Sequence, residues 1–207
     1  MKRWASAISA VAILLAVAPA GASDWQSTLF PRKDQTKTIH YRARSMDRSG
    51  QPHSVEAWRD KERLRRSSDG ILDLYATRSL DGLSTVLVDK RAGRVVRGDE
   101  GALLRAGHIE AWSELAYVLV RPAGSFELVK GGRPKRVSGT VCQPYRVVRG
   151  DGRAFTFCWS ARLRLPLEIT DPQGRQAFVV ESVEERRPPA GVFVPPAPAV
   201  TDRTDDD

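Results

Sequence analysis

The stretch TVCQPYRVVRGDGRAFTFCWS, Thr140 to Ser160, carries the reading of the fold. Two runs rich in strand-forming residues flank Gly150-Asp151-Gly152, a turn sequence, so the stretch reads as a β-hairpin. Val141, Tyr145 and Val147 share one face of the first arm, and Phe155, Phe157 and Trp159 share one face of the second. Cys142 and Cys158 fall on the opposite face, with Thr140 and Thr156. Each cysteine lies eight residues from Gly150, so antiparallel pairing centred there sets the two face to face; a bulge at Pro144 would displace that register by one residue. In an oxidising compartment the pair forms a disulfide, closing a loop of about 17 residues and contributing on the order of 3 kcal/mol by chain entropy. A redox couple is the alternative, but no C-x-x-C and no neighbouring histidine is present to lower a thiol pKa.

Working outward, the same texture covers most of the chain. Short segments of strand formers recur between turn signals: Thr36 to Met46, Ser54 to Arg59, Arg63 to Ser67, Ile71 to Arg78, Thr85 to Asp89 and Arg94 to Arg97, then Ser125 to Lys130, Val137 to Val148, Ala154 to Ser160, Leu165 to Thr170 and Gln176 to Glu184. The segment Thr36 to Met46 shows the period-2 pattern well, with Ile39, Tyr41 and Ala43 alternating with His40, Arg42 and Arg44. One helix is predicted from about Ala106 to Val120, where Ile109, Trp112, Leu115, Ala116 and Leu119 form a single apolar stripe and Arg121-Pro122 ends it. Trp25 to Phe30 is a second, short helix candidate. The expected class is α+β: an antiparallel sheet with one long helix and a short one.

Residues 1–22 read as a cleavable secretory signal. Lys2 and Arg3 supply a positive start, Ala7 to Ala18 an apolar run, and Ala20-Gly21-Ala22 the small-residue site before Ser23. The run is shorter than the ~20 residues of a transmembrane helix, so a periplasmic protein with no membrane span after cleavage is expected. Residues 23–187 then form a single β-rich domain, and residues 188–207 a proline-rich, acidic-ended flexible tail.

The 207 residues are 41% hydrophobic and 28% charged, ordinary for one domain with a core of its own. The net charge of +8 invites a nucleic-acid reading that its distribution does not support. Without Lys2 and Arg3, 31 basic residues face 25 acidic ones, a net +6, and the densest cluster, Arg63-Leu64-Arg65-Arg66, is flanked by Asp60, Glu62 and Asp69. No basic face with interleaved aromatics emerges, so nucleic acid is excluded as a partner, whereas an anionic membrane surface stays physically compatible with the charge.

Catalytic and metal chemistry find no framework. His40, His53 and His108 are scattered and the cysteines are two, so no metal site and no cofactor is expected. No G-x-S-x-G elbow occurs. His40 alternates onto the polar side of its strand, His53-Ser54 sits among turn residues, and His108 lies near the predicted helix start. Glu181 and Glu185 face away from Glu184 on a strand, and Gly131-Gly132 leads into a strand instead of a helix N-terminus. The expectation is a protein that is not an enzyme.

The tryptophans Trp58, Trp112 and Trp159 each lie in a patterned segment. Singly they read as core; together, a sheet crossed by a helix leaves an apolar space between layers where a non-polar ligand fits. Trp58, Tyr75 and Trp112 are its expected wall residues.

WRDKERLRRSSDG (Trp58 to Gly70), STVLVDKRAGRVVRG (Ser84 to Gly98) and CWSARLRLPLEI (Cys158 to Ile169), followed by Gln176 to Glu184 and VFVPP (Val192 to Pro196), resemble the LolA/LolB superfamily of periplasmic lipoprotein carriers, which includes RseB-type sensor domains. The first reads out an arginine before a turn, the second is similar to a strand pair of that family, and the third to its last strands. The resemblance implies an antiparallel, strongly curved sheet, an open half-barrel with one long and one or two short helices on its concave face and a hydrophobic cavity for acyl chains, and a lipid, a lipoprotein or another apolar ligand as partner. It implies equally a sensor or interaction module that works without such a cavity. It carries over no binding residue.

Overall fold

The computed structural model describes residues 25–30, 38–47, 49–99, 112–196 and 201–203; the predicted signal, His108, Ile109 and the start of the predicted long helix lie outside them. The alternation becomes one large sheet. Strands β1 (Ile39–Met46), β2 (Pro52–Arg59), β3 (Arg63–Ser68), β4 (Leu72–Ser79), β5 (Gly82–Asp89) and β6 (Arg94–Asp99) form a meander. β7 (Phe126–Lys130), β8 (Lys135–Val137), β9 (Thr140–Arg149), β10 (Ala154–Ser160), β11 (Leu165–Thr170) and β12 (Gln176–Glu185) form a second run. β12 joins the two by pairing antiparallel with β1, His40 opposite Glu184. The order is β13-β6-β5-β4-β3-β2-β1-β12-β11-β10-β9-β7, with β8 beside β9 and β13 (Thr201–Arg203) parallel to β6.

The α+β expectation is corrected. The fold is nearly all antiparallel sheet, open and curved, and among the described residues its helices are two short ones, α1 (Trp25–Leu29) and α2 (Trp112–Tyr117). α2 ends where Val118 takes a left-handed φ of 57°, a conformation that β-branched residues rarely adopt. The apolar stripe still goes inward: Trp112, Leu115 and Ala116 leave from the helix and Leu119 from the chain after the reversal, and all are buried. Periodicity at i, i+3, i+4 is thus met by one and a half turns plus a bend. Among the described residues no helix is long and apolar enough to cross a membrane.

Both helices pack in the main core with Tyr41, Ala43, Val55, Ala57 and Leu64 of the meander and Val147, Phe157, Trp159, Leu165, Phe178 and Val180 of the second run. Trp25 meets Phe126 edge to face at 5.6 Å and Phe157 at 6.0 Å, and Phe30 meets Trp159 at 5.4 Å. Such pairs add about 1 kcal/mol each beyond the area they bury.

The hairpin read from Thr140 to Ser160 is present, with a different register. Ala154 pairs with Val148 and Cys158 with Pro144, so the turn centres on Asp151, whose carboxylate accepts from the Arg153 amide at 3.0 Å. The cysteines are diagonal neighbours instead of directly opposed. They still reach each other, with Cα atoms 5.4 Å apart, and form the Cys142–Cys158 disulfide. No bulge occurs at Pro144; the irregularity lies one strand over, between Cys158 and Trp159 where β10 meets β11. The predicted strand Val137 to Val148 is split by a turn at Ser138-Gly139, both with positive φ.

After β12 the chain lies against the sheet. Arg186 sits over the Trp58 ring at 4.7 Å, and Arg63 over the Phe193 ring at 4.5 Å.

Candidate functional site

The register divides the expected wall residues between two faces of the sheet. His40, Trp58, Arg65, Tyr75, Val86 and Arg97 follow one another across β1 to β6 as directly opposed neighbours. Directly opposed residues share a face, and this is the face away from the main core. Trp58 is stacked on His40 at 4.3 Å and capped by Arg186. Tyr75 packs with Val86, Val88 and Val95 in a small cluster of its own. Trp112 lies in the main core, with the Arg78 guanidinium 5.6 Å from its ring. Trp58 and Tyr75 are therefore brought together, with Arg65 between them, and Trp112 is not.

On that outer face polar groups knit the strands. His40 Nε2 lies 2.8 Å from Glu56 Oε1. Arg65 donates to Asp73 at 3.1 Å, and Lys90 Nζ lies at the same 3.1 Å from that carboxylate. Burial pushes the Asp73 carboxyl up, but hydrogen bonds from Ser67, Lys90 and Arg65 outweigh it and hold it below the usual carboxylate range. A buried carboxylate with partners this close binds strand to strand.

Arg59 organises the inner face. Sequence reading picks it out only as an arginine before a turn; the structure buries it completely. The buried carbonyls it satisfies belong to segments far along the chain, which no local pattern announces.

One recess among the described residues lies beside the disulfide. Pro134, Thr140, Val141, Cys142, Trp159 and Ala161 line a recess of about 480 Å³, with Arg136 and Arg162 also on its walls. This lies in the volume range of small-molecule sites. The lining is mostly apolar, and Val141 stands 51% exposed there. Arg136 donates to the Gly139 carbonyl at 2.8 Å, and Arg162 pairs with Glu185. The edge that shapes the recess is held from inside: Gln143 Nε2 donates to Gly132 O at 2.9 Å and to Gly131 O at 3.2 Å. Gly131 suits this close approach, since a Cβ would stand 3.0 Å from that of Pro144 and press it back by a few tenths of an ångström. The signal for this site was Ser138-Gly139, a turn dipeptide that detaches β8 and lays it along Thr140–Cys142. Among the described residues no group of three or more metal-ligating side chains gathers.

No protein-family model matches the chain, and no curated protein matches it. Among solved structures, MucB is similar over 85% of this chain and 62% of its own, at 18% identity and a TM-score of 0.46. The MucA/MucB complex of Pseudomonas aeruginosa is similar over 74% of this chain and 53% of the matched one, at 18% identity and a TM-score of 0.40. A DUF1329 family protein from Desulfovibrio piger is similar over 69% and 70%, at 12% identity and a TM-score of 0.30. The chain thus spans less than two thirds of the length of the MucB chains it matches.

Proposed function

We propose that the chain is a non-enzymatic protein of the bacterial periplasm that holds the apolar part of a lipid or lipoprotein acyl chain. The observation that carries this reading is the recess beside Cys142–Cys158. Its apolar walls suit a hydrocarbon chain, and Arg136 and Arg162 suit an anionic group at the mouth. A disulfide accords with an oxidising compartment, and the first 22 residues accord with export.

A second reading has its own support. The inner face, where a carrier's cavity is expected, is filled in the described residues by Trp25, Leu29, Trp112, Leu115 and their strand partners. A filled core suits a module that engages another protein through its surface.

Titration with a pyrene-labelled fatty acid separates the two. The acyl reading expects saturable binding that Val141→Glu weakens at least ~10-fold, because a charge would be buried against the chain, while Trp58→Ala leaves it unchanged. Failure of the wild-type protein to take up the probe, or equal uptake by Val141→Glu, overturns the acyl reading in favour of the interaction module.

A further inference from the structure

The recess beside Cys142–Cys158 has walls that are tied to several strands at once. β8, which carries Arg136, pairs with the start of β9, Lys135 opposite Cys142 and Val137 opposite Thr140. Lys135 Nζ also reaches Glu168 Oε2 of β11 at 2.5 Å, and Ser138 Oγ, in the turn after β8, donates to the Val180 carbonyl of β12 at 2.6 Å. Trp159, also on the lining, is buried and held edge to face by Phe30 and Phe157. The disulfide then joins β9 to β10. With β8 fastened to three other strands and Trp159 packed into the core, the walls resist displacement, and the fold fixes the volume between them.

A fixed volume limits how much hydrocarbon fits. A methylene takes about the room of a water molecule, ~30 Å³, so the 480 Å³ of the recess holds ~16 of them, and a lipid with two such chains would need about twice the space. The geometry points to a site for one acyl chain of up to ~16 carbons, that of a fatty acid or a lysolipid, and not for a two-chain lipid. This rests on the acyl reading given above and narrows its ligand to single-chain amphiphiles. Ala161, exposed just after β10, is the smallest side chain on the lining. A larger residue there takes room from the chain.

The test is displacement of a pyrene-labelled fatty acid from the full chain by unlabelled lipids. Among saturated fatty acids, affinity should climb ~2- to 4-fold per added methylene and level off at ~16 carbons. Palmitoyl lysophosphatidylglycerol should displace the probe at least ~10-fold better than dipalmitoyl phosphatidylglycerol, which has the same head group and a second chain. The tighter of palmitic acid and the lysolipid names the source of the chain. Ala161→Leu, at an exposed position that should leave the thermal melt unchanged, should lower the length limit by ~3 methylenes. Where the wild-type protein binds the probe, three results overturn the proposal and leave the acyl reading standing: affinity that keeps climbing past ~18 carbons, equal displacement by the one-chain and two-chain lipids, or an unmoved limit in Ala161→Leu. No uptake of the probe by the wild-type protein overturns both.

Discussion

His53 and Asp69 clasp two hairpins together: the His53 Nδ1 lies 2.6 Å from Asp69 Oδ2 across the ends of β2 and β3, and its Nε2 lies 3.5 Å from Asp47 in the β1–β2 turn. Asp69 also accepts from the Ser54 amide at 2.7 Å, and Asp47 from Ser49 Oγ and the Gln51 amide.

These contacts give a pH dependence with a definite sign. Asp69 and then Asp47 hold the His53 imidazolium and raise its pKa above the ordinary ~6.5. The contribution is complete below that value and fades as pH rises through the raised one. Hydrogen bonds from Ser49 and Gln51, then His53, lower Asp47 to about 2; its share is present above the ordinary carboxylate range and fades as pH falls toward 2. A proton NMR titration should place the His53 midpoint above ~6.5, and Asp69→Asn should return it toward that value. An unchanged midpoint in Asp69→Asn would refute the clasp.

The Arg59 side chain predicts a large loss of stability. Its Nη1 donates to the Ala116 carbonyl at 2.7 Å and to that of Arg164 at 2.9 Å, and its Nη2 donates to the Leu163 carbonyl; the guanidinium also lies 4.8 Å over the Tyr117 ring. Arg59→Ala leaves two buried acceptors and one part-buried acceptor unanswered and should cost ~3–5 kcal/mol in urea unfolding. Arg59→Lys keeps the charge without the planar fork and should still cost ~2 kcal/mol. A loss below ~1 kcal/mol for the alanine variant would contradict this role.

The disulfide should be structural. Replacing both cysteines by serine should lower stability by ~2–4 kcal/mol, and the native, non-reduced protein should resist maleimide. Labelling of either Cys142 or Cys158 before unfolding would count against it.

Trp58 separates packing from binding. With His40 on one side and Arg186 over its ring, Trp58→Ala should cost ~3 kcal/mol. Arg186→Ala, which removes only the cap, should cost about 1 kcal/mol or less. Equal losses from the two substitutions in thermal melts would place the anchoring in Arg186 and not in the stack.

Much of the fold is legible along the chain because strand alternation is local: Ile39, Tyr41 and Ala43 announce their buried face without knowing their neighbours. Turn dipeptides such as Asp69-Gly70 set the boundaries. What resists reading depends on distant segments. The helix stripe at Trp112 to Leu119 has the right spacing, yet the helix stops at Tyr117 and Leu119 reaches the core from beyond the left-handed Val118. Trp58, Tyr75 and Trp112 look alike as aromatics in patterned segments. Their division between faces follows from the register of β2 and β4 and from where α2 packs, which no local pattern records. The recess needs β8 to fold back along β9, a consequence of two residues, Ser138 and Gly139.

The pairing of β1 with β12 sets a timetable. His40 meets Glu184, some 144 residues later in the chain, whereas the other edge of β1 is satisfied by the strand that follows it. As the chain emerges the meander can zip up strand by strand, but one flank of β1 stays exposed until β12 has followed. Loop closure over such a distance is slow. An unfinished molecule therefore presents a bare strand at its own centre, where a chaperone that shields β edges would have the longest time to act.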